Sequence, residues 1–241
     1  VWLCALASTI VTLGATFNGA QATSLRVAPA LLDVPAPGAT TTLTLRNDGD
    51  HPIHVQIRVF GWTGTQGEPV LVPTDNVVAS PPAATLNPGT EYVVRIVRLA
   101  KEPVSAEESY RLLVDELPDA TQDHSNTVRF ALRYSIPVFF YAAKAPPANV
   151  EWGVRTAGNA LTLSAANAGA RRMRVANLKI TDSSGVVVLQ RQGLAGYVLG
   201  KTSTRWSFAN AAQIARRGPF KVVAETESGS INDAVNAQLS R

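Results

Sequence analysis

Cysteine is almost missing from this chain. The single one, Cys4, lies in the apolar opening segment. If the chain is cut after Ala22, what remains has no disulfide, no thiol nucleophile and no cysteine metal site, and an exported chain of that kind is held by its cores alone. Aromatic residues make up only 7% of the sequence. Valine, threonine, glycine and proline in short alternating runs argue for an all-β fold. No segment after residue 22 has the ~20 predominantly apolar residues that a spanning helix needs, so no stable membrane insertion is expected. Histidine is scarce too. His51 and His54 fall on a turn and a strand start with no further ligand nearby, and His124 stands alone, so no metal site is expected. There is no Gly-x-Ser-x-Gly elbow and no phosphate loop. Asp115 and Glu116 are adjacent strand residues that face opposite ways and cannot act together as acid and base. The reading is therefore non-enzymatic, with no cofactor.

Residues 1–22 lack Asp, Glu, Lys and Arg and end in Ala20-Gln21-Ala22. This is the apolar core and small-x-small cleavage site of a secretory signal peptide. It opens at Val1 without a basic segment, as a leader truncated at its start. Charge is uneven beyond it. Thr23–Ala148 carries 10 basic and 13 acidic residues, and Asn149–Arg241 carries 12 and 5. The basic half has one tight cluster, Arg171, Arg172 and Arg174, with no interleaved aromatics. That favours a solvated face or an acidic partner over nucleic acid.

The most telling stretch runs from Asn126 to Tyr141. Val128, Phe130, Leu132, Tyr134 and Ile136 recur at every second position, with Arg129, Ala131, Arg133 and Ser135 between them. A strand of this kind has one bulky apolar side, either covered by its own domain or offered to a partner at a sheet edge. Upstream, strands are predicted over Leu25–Val34, Thr41–Arg46, Ile53–Trp62, Glu91–Leu99 and Ser109–Leu117, with turns at Pro35–Gly38, Asn47–Asp50 and Asn87–Gly89, and a cis-proline site at Ser80-Pro81. Short strands with turns every 8–12 residues suggest an Ig-like sandwich. Downstream, strands are predicted over Val150–Val154, Ala160–Ala165, Arg174–Thr181, Val186–Gln190, Tyr197–Leu199, Thr202–Phe208 and Phe220–Glu225, and a helical turn over Ala211–Arg216. The expected layout is a leader over 1–22, a first sandwich domain over 23–142, a linker over 143–149 containing Pro146-Pro147, and a second β-sandwich over 150–241.

Arg111 stands among apolar residues on the Ser109–Leu117 strand. Such an Arg needs a counter-charge or an anion. An internal pair with Asp115 or simple exposure is the reading that residue physics favours, and a carboxylate anchor is the other.

These residues resemble the periplasmic pilus-assembly chaperones, the PapD-like family. The likeness is carried by Ser80-Pro81-Pro82, Leu86-Asn87-Pro88-Gly89, the run from Ser109 to Pro118 and the run from Arg133 to Phe139. The run from Gln56 to Trp62 is similar to the archaic spore-coat/Csu-type chaperone–usher branch. The resemblance implies two Ig-like domains in a boomerang and a chaperone that holds an incomplete Ig-like pilus or coat subunit. The donor strand would present Val128, Phe130, Leu132, Tyr134 and Ile136 to the subunit and then pass it to an outer-membrane usher. Typical members anchor the subunit carboxylate with an Arg and a Lys, where this chain aligns Pro29 and Pro137. The archaic-type Ser-Tyr-Arg-Leu raises Arg111 as the anchor, with Arg26 and Arg133 in reserve. A secreted β-sandwich adhesin or structural fibre subunit is the alternative.

The leader predicts export and cleavage after Ala22. Mass spectrometry of the periplasmic form should find an N-terminus at Thr23, and a membrane fraction retaining the leader would contradict this.

Overall fold

The structure is a computed structural model that describes residues 25–65, 68–118, 131–157, 160–209, 219–235 and 237–239. Among these residues there are strands and no helix. The first ten strands are β1 (Leu25–Ala28), β2 (Leu32–Pro35), β3 (Thr40–Asn47), β4 (Ile53–Thr65), β5 (Glu68–Pro73), β6 (Val77–Ser80), β7 (Ala83–Leu86), β8 (Glu91–Arg98), β9 (Glu107–Leu117) and β10 (Arg133–Tyr141). They form two facing sheets. One has the order β1-β3-β8-β6 and the other β2-β10-β9-β4-β5, with β7 also on β4. Their alternating inward residues, among them Leu43, Leu45, Val94, Leu112, Val114 and Phe140, make a closed core.

The remaining strands are β11 (Val150–Ala157), β12 (Ala160–Asn167), β13 (Met173–Thr181), β14 (Val187–Val198), β15 (Ser203–Ala209), β16 (Phe220–Thr226), β17 (Gly229–Val235) and β18 (Ala237–Leu239). Sheet β15-β12-β11-β18 faces sheet β14-β13-β16-β17. The second core contains Leu161, Leu163, Leu178, Ile180, Phe220 and Val222.

Two sequence expectations need correction. The first strand is two strands in different sheets. The chain crosses between sheets after Ala28, so β1 pairs antiparallel with β3 while β2 pairs parallel with β10. A proline has no N–H to continue a ladder, and the switch lets Leu25 and Leu32 enter the same core from opposite sheets. The strands predicted over Val186–Gln190 and Tyr197–Leu199 are one strand, β14. Its glycines do not end it: Gly193 and Gly196, with φ of +71° and +149°, lie at two of its register shifts against β13. The long strand is described from Arg133 onward. Val128 and Phe130, like the leader and Ala211–Arg216, lie outside the described residues. Ser80–Pro81 is cis, as read from the sequence.

The two sandwiches meet at a small aromatic core. Trp62 and Phe139 of the first pack with Tyr197 and Leu199 of the second, and Leu31 closes the edge. Ring centroids are 5.9 Å apart for Trp62–Phe139, 5.7 Å for Phe139–Tyr197 and 5.6 Å for Trp62–Tyr197, the last pair edge-on. Such tilted and edge-on contacts suit the ring quadrupoles.

Ion pairs surround this core. Arg172, with 6% of its side chain exposed, bonds Glu107 at 2.6 Å and Asp33 at 2.9 Å, and its guanidinium lies 3.7 Å from the Phe139 ring centre. Arg171 stacks 3.9 Å from the Tyr141 ring centre. Arg171 and Arg172 are therefore not a solvated basic face. Their acidic partners belong to the first sandwich.

The linker is clamped as well. Buried Asn167 accepts from the N–H groups of Asn149 and Gly169 and donates to the carbonyls of Arg171 and Val198. A Cβ at Gly169 would lie 2.0 Å from the Pro147 carbonyl oxygen, so only glycine fits against the linker there.

Breaking the ion pair at one end should be costly. Glu107 has only 1% of its side chain exposed. Burial pushes its carboxyl above the ordinary glutamate value against the pull of Arg172. Arg172→Met leaves that carboxylate buried without its main cation, a loss of about 3–5 kcal/mol. The folded variant binds the Glu107 proton more tightly than the unfolded chain does, so the deficit shrinks as pH falls. Urea unfolding at neutral and mildly acidic pH should show this, with Arg172→Met/Glu107→Gln less impaired than Arg172→Met alone. Wild-type stability of the single variant at neutral pH would contradict it.

Candidate functional site

Strand β10 has two halves that differ in their partners. Along one edge it pairs with β9 throughout, from Arg133↔Asp115 to Tyr141↔Glu107. Along the other, β2 pairs only with Val138–Tyr141. Among the described residues nothing pairs with Arg133–Pro137 on that side. The Leu132 carbonyl accepts the Glu116 N–H at 2.9 Å. By alternation, Arg133 and Ser135 aim their backbone groups at the open edge. Such an edge is a template for another strand.

The inward face of β10 continues the apolar alternation, but its members fare differently. Ile136, 4% exposed, belongs to the first core. Tyr134 packs against that core and donates its hydroxyl to the Leu25 carbonyl at 2.6 Å. Both sequence-predicted donor residues are thus already engaged by their own sandwich, because Leu25 of β1 reaches that far. Leu132 holds the next alternate position, just before the strand begins. It is half-buried and lines a groove of about 310 Å3 with Arg58, Asp115 and Arg133.

The outward face of β4, β9 and β10 forms ladders across the sheet. Gln56, Asp115 and Arg133 share one rung, Arg58, Leu113 and Ser135 the next, and Phe60, Arg111 and Pro137 the third. The fourth carries Trp62 and Phe139 and is covered by the second sandwich.

Arg111 therefore lies directly across from Pro137 and at the foot of the interdomain aromatic core. Its guanidinium carbon is 3.8 Å from the Trp62 ring centre and 5.8 Å from that of Tyr197. One terminal nitrogen donates to the Ser135 carbonyl at 3.3 Å. Burial pulls its pKa below the ordinary guanidinium value, and among the described residues no carboxylate pairs with it. A half-buried arginine on an aromatic floor keeps donors free for an anion.

The internal pair expected with Asp115 does not form. Four residues along a strand span ~13 Å, with Leu113 between, whereas Asp115 has nearer cations. Arg58 donates to Oδ2 through two nitrogens at 2.7 and 3.3 Å, and Arg133 donates its Nε to Oδ1. Burial opposes ionisation of Asp115, but the bonds from Arg133 and Arg58 outweigh it and hold the carboxyl below the ordinary aspartate value.

The reserve anchors are placed elsewhere in kind. Arg26 is 68% exposed and paired with Asp48 at 2.7 Å. Arg133 is committed to Asp115 by one nitrogen. The aromatic floor beneath Arg111 escaped sequence reasoning, because Tyr197 comes from the other sandwich and no local spacing links it to Arg111. His51 and His54 hydrogen-bond to Asp50 and Thr85.

The family model of the pili and flagellar-assembly chaperones, PapD N-terminal domain, matches residues 24–145. Among solved structures, the chain is similar to the CsuC–CsuE chaperone–tip adhesion subunit pre-assembly complex from archaic chaperone–usher Csu pili of Acinetobacter baumannii. That match has 24% identity and a TM-score of 0.69 over 91% of this chain and 100% of that one. The E. coli chaperone DraB matches at 22% identity and a TM-score of 0.56, over 90% of this chain and 98% of that one. The Salmonella enterica SafA pilin in complex with the SafB chaperone matches at 17% identity and 0.61, over 89% and 97%. At these identities the structural likenesses speak for the two-domain all-β fold. No curated protein matches the chain in sequence. The family match spans half the chain and covers the sandwich that carries the open β10 edge and Arg111: the chain belongs to the pili and flagellar-assembly chaperones of the PapD type.

Proposed function

We propose that this chaperone acts in the periplasm, after removal of residues 1–22, as a member of the archaic Csu-type branch. It captures an incomplete Ig-like pilus or coat subunit by donor-strand complementation and passes it to an outer-membrane usher. Its working units are a first domain over 23–142, a linker over 143–149 and a second domain over 150–241. Val128, Phe130 and Leu132 fill the subunit's open groove, while Tyr134 and Ile136 root the same face in the chaperone's own core. Arg111 receives the subunit's terminal carboxylate.

The observation that carries this reading is a juxtaposition. The open half of β10 ends at Pro137, and the cation across from Pro137 has no carboxylate among the described residues. A strand added along Arg133–Pro137 would bring its end to Arg111. Proline cannot contribute a charge at that rung, and the neighbouring strand supplies one instead.

Leu132→Asp and Phe130→Asp should abolish capture of a co-expressed subunit while the chaperone stays folded. The new charge would have to enter an apolar groove, at a cost of several kcal/mol. Capture by folded variants at the wild-type level, measured by co-purification from periplasm, would sink the strand-donation reading.

Arg111→Ala should weaken capture by about 2–5 kcal/mol, the usual loss when one side of a desolvated charge pair is truncated. Arg111→Lys should recover only part, because charge returns without the planar fork. Blocking the subunit's C-terminus as an amide should cost the wild type as much as Arg111→Ala does. Unchanged affinity for a folded Arg111→Ala would remove Arg111 as the anchor.

A further inference from the structure

We propose that Arg133 is a second carboxylate-recognition residue. It binds an acidic side chain of the captured subunit about four residues before that subunit's terminal carboxylate. This rests on the strand-capture reading and adds a ligand to it.

The first support is an imbalance of charge. Asp115 is one carboxylate shared by two guanidiniums. Arg58 uses two nitrogens on Oδ2, whereas Arg133 spends only Nε on Oδ1. Among the described residues the two terminal nitrogens of Arg133 have no partner, and its side chain is 61% exposed. Asp115 thus fixes the guanidinium without using its outer edge. A pre-positioned fork of this kind matches a carboxylate better than a lysine would.

The second support is direction. A strand that ends at Arg111 can approach β10 only from the Arg133 side. In the other direction Val138–Tyr141 is taken by β2, and Phe139 is buried under the second sandwich. Arg133 shares its rung with Asp115, and Pro137 shares its rung with Arg111. Four residues separate the rungs, ~13 Å along a strand. The fifth residue from the subunit's end therefore lies beside Arg133. Four is an even number, so its side chain faces the same way as the group four places later.

The test uses the full chain and labelled nine-residue peptides of alternating valine and threonine that end in a free carboxylate. The fifth place from the end is Glu in one peptide and Gln in the other. Fluorescence anisotropy should show the Glu peptide binding wild type about fivefold tighter, the range of a partly exposed ion pair. Arg133→Gln should abolish that preference and Arg133→Lys restore part of it. Glu at the fourth place, facing the other way, should give no preference. Arg111→Gln should weaken both peptides alike and leave their ratio intact. Equal binding of the two peptides to wild type, or a preference that survives Arg133→Gln, overturns the proposal. If neither peptide binds wild type, the strand-capture reading fails and this site with it.

Discussion

The packing of Phe139 against Trp62 and Tyr197 joins the two sandwiches, and much of the rest depends on it. Phe139 lies on β10, so the contact fixes where that strand is covered and where it is free. Arg172 stacks on the Phe139 ring while bonding Glu107 and Asp33 of the first sandwich. The linker is pinned beside it through Asn167 and Gly169. Apolar burial, cation–π contact and buried ion pairs thus converge on the Phe139 ring and its neighbours. The two halves are held as one frame around the open strand.

Charge follows the same geometry. Arg172 is buried and matched by two carboxylates, and Arg58 and Arg133 share Asp115. Arg111 has aromatic rings and one carbonyl, and burial lowers its pKa. A desolvated guanidinium in that setting gains more from an incoming carboxylate than a solvated one would. The strand edge, the cation and the aromatic floor come from β10, β9, β4 and the second sandwich, so the site is complete only when both sandwiches are in place.

Much of this was legible in the sequence. Alternation announced an apolar strand face that the structure describes from Arg133 onward, and turn residues gave the all-β fold. Arg111 stood out as an arginine among apolar neighbours. What was not legible depended on register. Only the ladder shows that Asp115 sits across from Arg133 rather than serving Arg111, because cross-strand distances of ~5 Å outweigh four residues of separation along one strand. Alternation could not say where the apolar face passes from the protein's own core to the open edge. That point is set by how far β1 and Leu25 extend over Tyr134. Likewise, the arginine cluster read as either a solvated face or a surface for an acidic partner, because Glu107 and Asp33 are distant in sequence. Strands β5, β6, β7, β17 and β18 went unpredicted, being short or rich in polar residues and proline.

Amide hydrogen exchange on the free chaperone and on its subunit complex tests the central claim most directly. If a subunit strand adds to the open half of β10, exchange at Arg133 and Ser135 slows on capture, while Val138–Tyr141, already paired with β2, barely changes. Exchange at Arg133 and Ser135 that is the same in the complex as in the free chain, with protection appearing on other strands, would contradict the account.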